Sequence, residues 1–188
     1  MTFYDQNQLE VLIDATKLEA RIRALGAEIT GDYDGETPLV LVGVLKGCFL
    51  FLADLCRHID LPLEIDFLGL SSYGDAEETS GVVRVTQDLS RPVKGKHVLI
   101  VEDIVDTGLT MKYLLENLST RKPASVKIAS LLTKPARAQV EIDIDYLGFE
   151  IPDRFVVGYG LDYQNKLRNL PFIGVNLAGP ALFDEPES

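Results

Sequence analysis

The chain has 188 residues, a net charge of -11 and 46% hydrophobic residues, enough for one domain with a real core and short for two. The acidic balance argues against a nucleic-acid surface, which needs a basic patch to neutralise phosphates. No apolar run reaches bilayer-spanning length, and "MTFYDQNQLE" lacks the basic and apolar parts of a signal peptide, so the expectation is a cytoplasmic protein with no membrane or nucleic-acid partner.

In chain order, "LEVLID" reads as a short strand. Thr16 and Glu19 offer a capping box, and Leu18, Ile22, Leu25 and Ile29 recur at helical spacing, so a first helix is expected to about Ile29. "GDYDGETP" is turn chemistry; "LVLVGVL", Leu39 to Leu45, reads as a fully buried strand and "CFLFLADLCRHI" as the helix after it. Cys48 and Cys56 sit eight apart in that helix and read as core thiols. With His58 and His97 the only histidines, a disulfide scaffold and a histidine-rich metal site are both excluded. "LEIDFLGL" is another strand. "SSYGDAEETSG", Ser71 to Gly81, is polar and acidic and reads as a long mobile loop, with "VVRVTQ" as its return strand.

"HVLIVE" is the next buried strand, and Met111, Leu114, Leu115 and Leu118 mark one face of the helix that follows. "VKIASLLT", "DYLGFEI" and "FVVGYG" supply further strands. Strands alternate with helices to about Leu132, which specifies an α/β fold with a doubly wound, mostly parallel sheet. The strand-rich C-terminal part reads as a smaller subdomain, and the tail "GPALFDEPES" as frayed.

Ligands of such sheets bind beyond the carboxyl ends of the strands, where "GVLKGC" and "VEDIVDTGLT" both lie. Asp106, Thr107, Gly108, Leu109 and Thr110 sit where a strand turns into a helix. Free backbone N–H groups, the helix dipole, a glycine and two hydroxyls there make a nest for one phosphate. Walker A and dinucleotide-binding patterns are both absent. Taken alone, Asp-Thr-Gly is more often a simple helix cap. Glu102 and Asp103 shift the balance: adjacent acids at the end of a buried strand repel and resist desolvation, unless they accept hydroxyls or meet a hard cation such as Mg²⁺. Phosphate, diol and metal together describe a phosphorylated ribose.

"VLIVEDIVDTGLT" resembles the phosphoribosyl pyrophosphate signature of the type I phosphoribosyltransferases, in its hypoxanthine-guanine form. The resemblance runs from about Val11 to Val175 and includes "GVLKGCFLFLADL", "SSYG", "SLLTKP" and "GFEIPDRFVVGYGLDYQNKLRNLP". It implies a single phosphoribosyltransferase domain, with a core over about residues 10–135 and a base-binding hood over about 136–176 joined by the N-terminal residues. The loop 71–81 would be a closing lid that includes Ser72 and Tyr73. It implies purine salvage: transfer of 5-phosphoribosyl from phosphoribosyl pyrophosphate to a 6-oxopurine, hypoxanthine or guanine, with Mg²⁺, in a homodimer or homotetramer. Thr107 to Thr110 would hold the 5′-phosphate, Glu102 and Asp103 the ribose hydroxyls and metal, and Asp106 would accept the purine proton. Lys46 and Gly47, in a turn that often has a non-proline cis peptide, and Arg168 would bind pyrophosphate. Lys134 would bond the exocyclic oxygen of the base, Phe155 would stack on it, the Val156 backbone would read its edge, and Asp162 would serve a second metal and the base.

Blander readings stand beside these. Phe155 could be plain core, Lys134 a solvated lysine, and the lid acids a solubilising loop; Tyr159 and Tyr163 are read as structural. A relative that senses phosphoribosyl pyrophosphate without transferring it is a further reading, disfavoured by the presence of Asp106 and by the acidic charge. Thr133 stands where the family often has an acid or a valine, which bears on the preference among bases.

Overall fold

The computed structural model describes residues 8–72 and 83–177. In chain order the elements are β1 (Leu9–Ile13), α1 (Ala15–Asp32), β2 (Leu39–Leu45), α2 (Phe49–Cys56), β3 (Leu63–Ser72), β4 (Val83–Gln87), β5 (His97–Val105), α3 (Leu109–Ser119), β6 (Ser125–Thr133), β7 (Tyr146–Glu150), β8 (Val156–Val157) and β9 (Ile173–Asn176). A short 3-10 turn, Pro135–Arg137, follows β6. Six strands form one sheet in the order β4-β3-β2-β5-β6-β7, parallel except for the hairpin partner β4. The others form a small antiparallel sheet, β1-β9-β8, which joins the start of the chain to its C-terminal part. Among the described residues, no helix is long and apolar enough to cross a membrane.

The apolar runs become the central strands because both faces of the sheet are covered. Alternation along β2, β5 and β6 sends Leu39, Leu41, Leu99, Val101 and Leu131 to one face, against Ile22, Leu25 and Phe51 of α1 and α2. Val40, Val42, Val98, Ile100 and Ile128 go to the other face, against Met111, Leu114 and Leu118 of α3. Successive crossovers therefore leave on opposite sides: α2 follows β2 on one face and α3 follows β5 on the other. Adjacent strands whose connections diverge in this way open a crevice at their carboxyl ends.

Three local expectations need correction. The first helix is capped by Asp14, whose side chain accepts from Lys17 N at 2.9 Å, and not by Thr16. Glu19 cannot reach back as a capping box requires, because it points forward to Arg23, 2.6 Å away. That helix also continues past Ile29 to Asp32. Cys48 precedes α2 as its cap residue instead of lying within it, although it is fully buried as expected. The tail from residue 178 and most of the loop that follows Ser72 lie outside the described residues.

Candidate active site

The crevice between β2 and β5 is lined by the two segments singled out above. Beyond β2, the Leu45–Lys46 peptide is cis and leads into Gly47. Beyond β5, Asp106 to Gly108 form the turn into α3, whose cap residue is Gly108, at φ 81°. No side chain caps α3 with a good hydrogen bond; Leu109 N lies a long 3.5 Å from Thr107 Oγ1. A side chain at 106 or 107 is therefore not spent on closing the helix, and the amides of its first turn face a concavity of about 100 Å³ lined by Glu102, Asp106, Thr107 and Thr110. The turn is fastened from outside by the segment after β6: Gln139 N and Val140 N both donate to Thr107 O, at 3.0 and 3.1 Å. A Cβ at position 108 would lie 2.4 Å from Val140 O, so both the left-handed backbone and the close approach demand glycine.

Strand alternation starts the two acids on opposite faces of β5, but their carboxyl groups meet at the strand end. Glu102 belongs to the phosphate-sized concavity, and its Oε2 is buried with no hydrogen-bond partner. Asp103 points to the other face, where a Cβ on Gly47 would lie 1.6 Å from its Oδ2. Burial, and then the neighbouring Asp103 charge, hold the Glu102 carboxyl well above the ordinary carboxylate range. Burial likewise raises Asp103, opposed first by its side-chain contact with Glu102, then by backbone amides, Ile104 N at 3.1 Å among them, and by the Arg168 charge. Two costly buried acids flanking one strand end make an arrangement prepared for something that neutralises them.

The C-terminal part of the chain closes over the turn at Lys46 and Gly47. Gly160 lies against the Gly47 carbonyl. Arg168 donates to Gly160 O at 2.7 Å and pairs with Asp162 at 2.6 Å. Asp162 also accepts from Asn165 N at 2.7 Å, and Asn165 Oδ1 lies 3.5 Å from Lys46 Nζ. Asp162 thus stands with Arg168, whose charge also reaches Asp103. Among the described residues, no three acidic, histidine or cysteine side chains gather as a metal cage.

On the base side, Lys134 follows β6 and is buried at 7% exposure, so it is not a solvated lysine. Its nearest anionic partner is Asp153, at 3.7 Å. Phe155 is 51% exposed, so it is not plain core; it meets the Tyr163 ring edge-to-face at 5.7 Å. Val156 is buried in β8, paired with Val175. Asp106 Oδ1 is buried without a hydrogen bond, although Arg137 Nε stands 3.0 Å away, too poorly aligned to donate. Ser72 closes β3, whereas Tyr73 lies outside the described residues. Sequence reading missed Arg137, Asp153 and the contact made by Tyr163. The one signal for them was their place beside "TKP" and inside the hood motif.

An oxyanion nest, two buried acids and a second turn for a second anion, at the switch point of a parallel sheet, define a phosphoribosyltransferase site. The family model for the phosphoribosyl transferase domain matches residues 9–164, and the chain belongs to that family. Within it, the chain falls among the hypoxanthine-guanine phosphoribosyltransferases. It is 48% identical over 175 residues to the hypoxanthine-guanine phosphoribosyltransferase of Bacillus subtilis, covering 93% of this chain and 96% of that one. It is 50% identical over 171 residues to the hypoxanthine phosphoribosyltransferase of Haemophilus influenzae, covering 90% and 96%. The crystal structure of a hypoxanthine phosphoribosyltransferase from Staphylococcus aureus superposes with a TM-score of 0.88 at 44% identity, covering 95% of this chain and 96% of that one.

Proposed function

We propose that this chain transfers the 5-phosphoribosyl group of phosphoribosyl pyrophosphate to hypoxanthine or guanine, giving the purine nucleoside 5′-monophosphate and pyrophosphate. The observation that carries the reading is Glu102 Oε2: a carboxylate oxygen buried without a hydrogen-bond partner, in the same small concavity as Asp106, Thr107 and Thr110 beside an uncapped helix N-terminus. Buried polar atoms are normally satisfied, so one left open at a ligand crevice marks where a ligand's hydroxyl or a cation arrives.

In this reading, Thr107 to Thr110 hold the 5′-phosphate through backbone amides and hydroxyls, and Glu102 and Asp103 face the ribose hydroxyls. As the bond from the ribose anomeric carbon to pyrophosphate breaks and the bond to the purine nitrogen forms, Asp106 takes the proton the purine loses. Lys46, the Gly47 amide and Arg168 receive the departing pyrophosphate, and Lys134 donates to the exocyclic oxygen, which selects 6-oxopurines over adenine. Phe155 offers its exposed face to the purine plane. The hard oxygens of Glu102 and Asp103 fit Mg²⁺ by donor type and by their unmet need for positive charge. Asp162 would serve a second ion only after releasing Arg168. When bound, the metal neutralises charge developing on the leaving group.

The deciding experiment supplies phosphoribosyl pyrophosphate and Mg²⁺ with hypoxanthine, guanine, xanthine and adenine in turn and measures pyrophosphate release. Release with one or more 6-oxopurines and none with adenine is expected. No release with any base would overturn transfer and leave a sensor of the donor.

A further inference from the structure

Asp106 and Lys134 would flank the purine on two edges, yet they come from different strands and neither is fixed by its own element. What joins them is a short ionic chain outside the substrate space. Lys134 N and the Thr133 hydroxyl both donate to Val105 O, each at 3.2 Å, which ties the end of β6 to the residue before Asp106. The 3-10 turn Pro135–Arg137 then folds back, with Arg137 N on Lys134 O at 3.0 Å, and delivers the guanidinium to Asp106. From the hood, one oxygen of Asp153 is shared by Lys134 Nζ and Arg137 Nη1, both at 3.7 Å.

Resting on the function proposed above, we propose that Arg137 and Asp153 are positioning residues. They form a bridge, Lys134–Asp153–Arg137–Asp106, that sets the base-reading lysine and the proton acceptor at a fixed separation. The Lys134 side chain is 8% exposed, and a cation so buried needs a counter-charge; Asp153 supplies it without entering the substrate space. Arg137 Nε lies 3.0 Å from Asp106 Oδ1, so it steadies the carboxylate through that buried oxygen and leaves the other oxygen for the purine N–H. Arg137 and Asp153 are each about half exposed, at 47% and 52%. Exposed pairs of this kind contribute little to stability, so their value lies in geometry.

The test is steady-state kinetics of the full chain with hypoxanthine as the varied base, on Asp153→Asn and Arg137→Gln and on each in the background of its partner. Asp153→Asn is expected to raise the purine KM about tenfold, with the donor KM changed less than about twofold, and to lose that effect in Lys134→Ala. Arg137→Gln is expected to lower kcat about tenfold in the native chain and less than about twofold in Asp106→Asn, with Arg137→Lys recovering only part because it lacks the planar fork. Additive effects in both double variants, or equal rises in both KM values, would overturn the bridge. A native chain that releases no pyrophosphate with any purine would instead refute the proposed function itself.

Discussion

Glu102 shows what the site costs the fold. Its folded-state pKa lies above the ordinary value of 4.5, so the native state holds this proton more tightly than the unfolded chain does. The sign follows: Glu102 leaves stability unaffected below the ordinary carboxylate titration and lowers it as pH rises from there through the folded-state value. Glu102→Gln removes the charge at every pH. We expect it to stabilise the ligand-free protein by about 1–3 kcal/mol at neutral pH, the scale of an unsatisfied buried polar group, and to reduce donor turnover. Urea midpoints at pH 5 and pH 8 check this: the gap between variant and native chain should widen with pH, and a constant gap would remove Glu102 as its source. Asp106 carries the opposite signature. Asp106→Asn should lower kcat by about 10²-fold or more, the scale of a lost general base, while direct titration shows donor binding largely retained. Near-native turnover would take Asp106 out of the proton-accepting role.

At the scale of elements, the phosphate turn depends on a contact that no helix or strand provides. The segment after β6 fastens Thr107 and leaves no room for a side chain at 108. Gly108→Ala must strain a left-handed residue and push on Val140 O; the expected loss of stability is about 1–3 kcal/mol, with donor KM raised more than purine KM. Thermal unfolding and the two KM values measure both. Elements differ in how far the sequence announces them. β2 and β5 were legible because parallel strands covered on both faces must be continuously apolar, and the phosphate turn because its residue types crowd into one short run. The cap of α1 was misread because Thr16 and Glu19 satisfy the local pattern, while the choice fell to Asp14 once Arg23 had engaged Glu19. Arg137, Asp153 and Tyr163 were not legible as site residues. Their contacts cross from one irregular segment to another, with no periodicity to mark them, and only the folded chain brings them together.

The whole molecule divides its labour between two sheets. In the proposed reading the six-stranded sheet carries the turns that would bind the anions, and the three-stranded sheet carries Val156 and, just before it, Phe155, which would meet the base. β1 belongs to the second sheet; Leu9 packs there with Val157, Leu167 and Leu170, whereas Ile13 joins the main core with Leu18, Leu39 and Leu99. Deleting residues 1–11, which keeps Ile13, should therefore leave the parallel core folded, with circular dichroism showing most of its helix and strand content, and weaken purine binding by about 10-fold or more, since loss of one of three strands undoes a sheet this small. Equal losses of purine and donor binding would show that the two sheets are not separable in this way.

The pairing of Leu9 with Asn176 also orders events during synthesis. β1 leaves the ribosome before the other described elements, and its partner β9 after them. Domains begin to fold as they emerge, so β2, β3 and β5 can assemble while β1 waits as an unpaired edge exposed to chaperones and to other nascent chains. A newly made molecule would thus gain its grip on phosphate before its grip on the base, and choosing among purines would be the last ability it acquires.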